Sequence, residues 1–290
     1  MAGRVAAAVA DHAGASVVSV QPLSGGDVAM AYRVDLAGGR TLFAKTHRNP
    51  PPGFFVTEAR GLAELAASGV VRVPDVVTVA ERPMPLLVLS WVDDAPGARP
   101  NEVAFGAQLA AMHATGASCF GRSDARPTGS RQLPNTPCAS WPEFYATCRL
   151  EPLARLARDT GALDPATVEA IDAVAARLDA FGAADEPAAL VHGDLWAGNR
   201  LVDRSGASWL IDPACHGGHR EFDLAMMALF GGFGPDAFAA YDDAFPLAEG
   251  WRERQPLHQL APLVVHAIKF GGGYRRATME AVAAVEALGR

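Results

Sequence analysis

Asp194, Asn199 and Asp212 are the residues of this chain whose types and spacing could do chemistry. The stretch runs Leu190-Val191-His192-Gly193-Asp194-Leu195-Trp196-Ala197-Gly198-Asn199, then Arg200-Leu201-Val202-Asp203, a Ser205-Gly206 turn, and Trp209-Leu210-Ile211-Asp212-Pro213. Two short apolar runs flank a polar loop, and a third ends on an acid. That pattern predicts a strand, a loop and a hairpin closing on Asp212. An Asp, an Asn five positions on and a second Asp beyond a hairpin form the set that phosphoryl transfer uses. Asp194 would accept the proton of a substrate hydroxyl. Asn199 and Asp212 would offer oxygen to a divalent cation. H-G-D alone is common in loops, and an Asx-rich turn without chemistry is the plainer alternative. The whole pattern is far more specific.

Such a loop needs partners that hold phosphate. Leu23-Ser24-Gly25-Gly26-Asp27 lies between strands predicted at Val17–Val20 and Ala31–Leu36. Glycines there let backbone approach a ligand, and a nest of N–H groups can cradle phosphate. An ordinary Gly-Gly turn is the alternative. The next strand, Thr41–Thr46, follows the Gly38-Gly39 turn and puts Phe43 and Lys45 on one face. A lysine in an apolar strand needs a partner. Glu58, in the first turn of a helix predicted over Val56–Ala67, is available; the alternative is an exposed edge lysine. Strands at Val70–Val79 and Pro85–Val92 complete a five-stranded lobe, and the turn-prone Asp93–Gly97 segment is the expected hinge.

Beyond it the pattern turns helical. Phe105, Leu109 and Met112 repeat behind a possible Asn101 cap. His113 lies next to that stripe and reads as a core or surface histidine. Gly116 to Ala139 has little periodicity, and a loop that long in a compact domain is usually functional. A helix begins at Trp141 and continues through Leu156. Asp164-Pro165 caps another, with Val168, Ile171, Val174 and Leu178 on one face. After Asp212 the Gly217-Gly218 pair predicts a loop. Phe222, Met226 and Leu229 begin a helix, where Asp223 either accepts N–H groups of the Asp194 loop or is a plain helix-start acid. Leu257 to Ala284 is helical around a break at Gly271–Tyr274.

Composition narrows the function further. Half of the 290 residues are hydrophobic, ample for one large domain or two lobes. The net charge is −7 and no Lys/Arg-rich run appears, which argues against a nucleic-acid partner. No apolar run approaches a membrane span, and the N-terminal Ala/Val run is too weakly patterned for a signal peptide. The four cysteines form no C-x-x-C pair and read as free thiols of a cytoplasmic protein.

The residues together resemble the fructosamine kinase (ketosamine 3-kinase) family, within the protein-kinase-like and aminoglycoside phosphotransferase superfamily. The resemblance rests on Leu23-Ser24-Gly25-Gly26-Asp27, Ala44-Lys45-Thr46, Glu58-Ala59-Arg60-Gly61-Leu62, Arg72-Val73-Pro74, Gly129-Ser130-Arg131-Gln132-Leu133-Pro134-Asn135, and Phe144-Tyr145 with Arg149-Leu150. It continues through His192-Gly193-Asp194-Leu195-Trp196-Ala197-Gly198-Asn199, Ile211-Asp212-Pro213-Ala214, Gly218-His219-Arg220-Glu221 with Asp223-Leu224-Ala225-Met226, Phe230-Gly231-Gly232-Phe233 and Phe270-Gly271-Gly272-Gly273-Tyr274. The H-G-D-L-W-x-G-N block is the specific one. Departures are Arg-Gln-Leu-Pro-Asn after Ser130, where Thr/Leu-Pro-Gln-Pro-Asn is common, and Ala197 where Gly is frequent.

The resemblance implies an α+β, bilobal protein-kinase-like fold. Residues 1–92 would be a small, five-stranded nucleotide-binding lobe with one helix. Residues 93–290 would be a larger, mainly helical catalytic and substrate-binding lobe. It implies ATP and Mg2+ as cofactors and phosphorylation of the 3-hydroxyl of a ketosamine, free or protein-bound, in deglycation repair by a cytoplasmic monomer. Asp194 would be catalytic. Ser24, Gly25, Gly26, Asp27 and Lys45 (pinned by Glu58) would hold the nucleotide phosphates, and Leu89, Ser90 and Trp91 its base. Asn199 and Asp212 would hold magnesium. Arg131, Gln132, Asn135, His216, His219 and Tyr274 are candidates for the sugar. The rivals are an aminoglycoside or other small-alcohol phosphotransferase, a metal-dependent hydrolase using His192, Asp194, Asp212, His216 and His219, and a non-catalytic nucleotide-binding module.

Overall fold

The computed structural model describes residues 1–24 and 29–288, which divide into two compact units. The first comprises residues 1–101, 128–132 and 199–214. Its helix α1 (Ala2–Ala13) ends on Gly14 in the left-handed region, followed by β1 (Val17–Leu23), β2 (Met30–Leu36) and β3 (Thr41–Thr46). Helix α2 (Phe54–Ala67), β4 (Val76–Ala80) and β5 (Leu86–Ser90) complete the N-terminal part. The five strands form one antiparallel sheet in the order β1-β2-β3-β5-β4. Leu42 and Ala44 of β3 pack with Val5 and Val9 of α1, Val34 and Val88. Strand alternation then turns Phe43 and Lys45 to the opposite face.

Val70–Val79 is not one strand. Pro74 interrupts the apolar run, and β4 starts only at Val76. The preceding residues serve another contact: Leu210 N–H donates to the Arg72 carbonyl (2.8 Å), and the Arg72 guanidinium lies 5.8 Å over the Trp209 ring. This fastens the Arg200–Val202/Ser208–Leu210 hairpin to the N-terminal part. Ala95 N–H adds a bond to the Val202 carbonyl (2.8 Å), and Val202 N–H donates to Asp94 Oδ1 (3.1 Å). Asp203 makes the turn by accepting from Ser205 N–H (2.9 Å) and Ala207 N–H (3.1 Å).

The second unit comprises residues 102–127, 133–198 and 215–290. It opens on α3 (Glu102–Ala114), followed by the long irregular segment the composition predicts. Helix α4 (Trp141–Tyr145) passes through a π-turn at Ala146–Leu150 into α5 (Glu151–Thr160). Helix α6 (Pro165–Ala175) starts on the expected cap, Asp164 accepting from Thr167 N–H at 3.0 Å. Strand β6 (Ala189–Val191) pairs with β7 (His216–Gly218), a stretch the sequence reads as a loop. Gly217 lets that strand through, because a Cβ there would stand 1.9 Å from the Cys119 carbonyl oxygen. Helices α7 (Glu221–Phe230), α8 (Pro235–Ala244), α9 (Trp251–Phe270) and α10 (Gly273–Leu288) follow. The core gathers Phe144, Leu150, Leu153, Ile171, Leu260, Val264 and Val285. Pro262 inside α9 has no N–H for the His258 carbonyl, and the Tyr145 hydroxyl lies 3.2 Å from that oxygen and 2.9 Å from the Leu257 carbonyl.

Candidate active site

In the first unit the expected pair forms. Lys45 Nζ donates to Glu58 Oε1 at 2.9 Å, across thirteen positions of chain. Lys45 is 8 % exposed, so the edge-lysine alternative is ruled out. The same ammonium also contacts Asp212 Oδ1, a link the sequence did not reveal. Burial opposes the charge on Lys45, but the two carboxylates outweigh it and raise its pKa. Asp212 takes a left-handed conformation, φ 54°, uncommon for a residue with a side chain. The hairpin explains how it arrives there. Ile211 N–H donates to the Asn199 carbonyl at 3.0 Å, continuing the Arg200–Leu210 pairing, and Asp212 is the next residue. Asn199 and Asp212 therefore lie at the open end of one hairpin, both in the unit that carries Lys45.

The other nucleotide candidates are also in this unit. Leu89 is buried within β5, opposite Phe43. Ser90 exchanges bonds with Asp75: its N–H reaches the Asp75 carbonyl (2.9 Å), and its hydroxyl accepts from Asp75 N–H (2.8 Å). Trp91 donates through Nε1 to Asp93 (3.1 Å) beneath the Arg33 guanidinium (5.0 Å). Ser24 is exposed at the end of β1, whereas Gly25, Gly26 and Asp27 lie outside the described residues.

In the second unit the Asp194 loop is fixed through its backbone. His192 N–H and Gly193 N–H donate to the two oxygens of Asp223, at 2.7 and 2.9 Å. Asp194 N–H donates to His192 Nδ1 (3.2 Å), and Trp196 N–H to the Asp194 carbonyl (3.1 Å). Gly193 has φ 78°, which a side chain would strain. Asp223 is thus no plain helix-start acid. Burial alone would raise its pKa, but the hydrogen bond from His113, the nearby imidazoles and the Gly193 N–H hold it below the usual carboxylate range.

The sugar candidates separate. Arg131 and Gln132 are half-buried in the first unit, Gln132 at φ 53° with its amide on the Gly129 carbonyl (3.0 Å). Tyr274 is half-buried in the second, its ring tilted 40° against His266 at 4.9 Å. Asn135 and His216 are buried there against Arg149, whose Nη2 is 2.8 Å from Asn135 Oδ1 and 3.4 Å from His216 Nε2. Arg149, which the sequence left without a role, thereby anchors the long loop through the Pro134 carbonyl (2.6 Å).

His219 is a correction. It is 1 % exposed, its Nε2 donates to the Ala183 carbonyl (2.8 Å) and its Nδ1 accepts from Glu221 N–H (3.2 Å), so no ring nitrogen is left for a sugar. His219, Glu221 and His258 do bring ligand-type atoms within 4.8 Å of one another. However, Arg254 already neutralises Glu221, at 3.0 and 2.6 Å, and a divalent ion there would meet that cation. Burial, and next the neighbouring His258, lower the His219 pKa to about 4. The unfolded chain then binds a proton between about pH 6.5 and 4 that the folded one refuses, so stability falls as pH falls through that window. The pKa of Glu221 goes down to about 2: burial raises it, but His258 and Arg254 outweigh that. Its contribution is thus intact over this range. We expect the protein to lose about 2 kcal/mol of stability between pH 7 and 5. His219→Gln should flatten that slope in urea melts; an unchanged slope would assign the pH dependence elsewhere.

Comparison with known proteins places the chain in a family. A family model described as fructosamine kinase matches residues 1–287. A protein of Enterococcus faecium named as a probable ketoamine kinase is 36 % identical over 257 residues, covering 88 % of this chain and 91 % of that protein. The chloroplastic protein-ribulosamine 3-kinase of Arabidopsis thaliana is 30 % identical, over 92 % of this chain and 82 % of that one. The crystal structure of a candidate fructosamine-3-kinase from Thermobifida fusca YX-ER1 superposes with a TM-score of 0.90 at 42 % identity, covering 98 % of each chain. The fold is the α+β protein-kinase-like fold that the motifs imply. The chain belongs to the fructosamine kinase family.

Proposed function

We propose that this enzyme transfers the γ-phosphoryl group of ATP to the 3-hydroxyl of a ketosamine, free or protein-bound, as a step in removing the sugar from a glycated amine. The observation that carries the reading is Lys45 held by both Glu58 and Asp212, in a chain of this family whose Asp194 loop is backed by Asp223. We divide the labour between a nucleotide-binding lobe, residues 1–92, and a catalytic and substrate-binding lobe, residues 93–290, whose 199–214 segment belongs to the first compact unit. Lys45 binds the phosphates, and Ser24, Gly25, Gly26 and Asp27 contribute to holding them. Leu89 to Trp91 receive the base. Asp194 orients the sugar hydroxyl and takes its proton as the new O–P bond forms and the bond to the leaving ADP breaks. Arg131, Gln132 and Tyr274 remain our candidates for contact with the ketosamine, together with Asn135 and His216, the buried pair that Arg149 holds.

The Asn199 amide oxygen and the Asp212 carboxylate, 39 % exposed, suit Mg2+, a hard cation that takes oxygen donors. They would hold it, and when bound it would neutralise phosphate charge. We place the enzyme in the cytoplasm as a monomer; the four free thiols agree with a reducing compartment. Among the described residues no helix is long and apolar enough to cross a membrane.

A substrate panel tests the reading. The purified enzyme is given ATP and Mg2+ with a fructosamine, a ribulosamine, a glycated protein and an aminoglycoside. We expect ADP release and a 3-phosphorylated product with a ketosamine, abolished by a chelator. Transfer to the aminoglycoside alone would overturn the substrate assignment, and ADP release without any acceptor dependence would overturn the transfer.

A further inference from the structure

The backbone bonds that fix the Asp194 loop end on Asp223, and those of Asp223 end on His113. Asp223 is 0 % exposed, and its Oδ2 receives both His192 N–H (2.7 Å) and His113 Nε2 (3.2 Å). His113 sits in the last turn of α3, 1 % exposed, with Nδ1 2.8 Å from the hydroxyl of Tyr241 on α8. Tyr241 is itself fully buried, and burial pushes its phenol well above the usual range, so it keeps its proton. A carboxylate only accepts, so Nε2 carries the imidazole hydrogen; Nδ1 then accepts from Tyr241 O–H. One tautomer satisfies all three side chains. An apolar residue of the same size could fill the space, but it would take a donor from Asp223 and the acceptor from Tyr241.

We propose that His113, held by Tyr241, is a positioning residue for phosphoryl transfer. It fixes the Asp223 carboxylate so that both oxygens carry the His192–Gly193 backbone, and with it the placement of Asp194. The proposal rests on Asp194 as the proton acceptor. It differs from a packing role in what it predicts. A small displacement of a reacting group lowers turnover steeply without weakening distant binding contacts.

The test compares His113→Leu, His113→Gln and Tyr241→Phe with the parent and with Asp194→Asn. The readouts are kcat and KM for ATP and ketosamine, the melting temperature, and hydrogen exchange at the His192 and Gly193 amides. His113→Leu should lower kcat about ten- to a hundredfold with KM for ATP within about twofold, and should speed exchange at both amides. His113→Gln, whose amide offers both a donor and an acceptor, should recover most of the loss. Tyr241→Phe should show the same pattern more weakly. A fall in melting temperature with kcat and exchange unmoved would overturn the proposal, as would His113→Gln being no better than His113→Leu. If His113→Leu does not fold, the other two variants decide by the same readouts. If Asp194→Asn keeps normal turnover, the catalytic reading falls and the proposal with it. Unmoved exchange beside an inactive Asp194→Asn overturns the positioning role alone.

Discussion

Asp194→Asn should leave an enzyme that binds ATP normally and transfers its phosphate slower by a factor on the order of 100 to 10,000, the range general-base catalysis contributes. The substitution keeps the shape of the side chain and removes its ability to take a proton. The loop around it should not move. Backbone groups fasten it: the His192 and Gly193 amides on Asp223, and the Asp194 amide on His192 Nδ1. These bonds do not use the Asp194 carboxylate and should survive the substitution, and an unchanged melting temperature would separate a loss of turnover from a collapsed loop. Calorimetric ATP binding, ketosamine phosphorylation and thermal melting on the same preparation check this. Near-parental turnover would remove Asp194 from the chemistry. Lost ATP binding would make its role electrostatic rather than proton-accepting.

What the sequence disclosed was what local rules control. The period-two alternation in Thr41–Thr46 put Lys45 on a face opposite Leu42 and Ala44, and α1 covers those two. A buried lysine demands a carboxylate, and Glu58 was the acid in reach on the next helix. The hairpin was legible because Asp203, Ser205 and Gly206 are turn chemistry, and hairpin register then placed Asn199 and Asp212 at its open end. What stayed hidden depends on contacts distant in sequence. Nothing near Asp212 says that Lys45, 167 positions away, will meet it. Nothing near His113 names an acid 110 positions on. His216-Gly217-Gly218 has loop composition and becomes a strand only because β6 pairs with it. His219 carries a motif-like position, yet its two nitrogens are used by neighbouring backbone, and a linear pattern cannot count hydrogen bonds.

Lys45 and Glu58 should behave as one unit in a double-mutant cycle. They sit on β3 and α2, and local sequence gives them no reason to meet. Lys45→Met removes the cation that we propose holds the phosphates. It also leaves Glu58, whose side chain is 12 % exposed, without its counter-charge, so some loss of melting temperature is expected as well. Glu58→Gln keeps an acceptor for the ammonium but drops the charge. Asp212 still holds Lys45 in that variant, so its loss of activity should be the smaller of the two. In the double variant there is no ammonium left for Glu58 to orient. It should therefore be little worse than Lys45→Met, with a coupling of about one to three kcal/mol. The assay is ATP-dependent ketosamine phosphorylation at saturating acceptor, with folding checked by melting. If the two losses multiply, Glu58 acts on something other than Lys45. If Glu58→Gln is as damaging as Lys45→Met, then Asp212 alone does not hold the ammonium where the phosphates need it. The arrangement predicts neither result, because one carboxylate stays on the lysine when the other is neutralised.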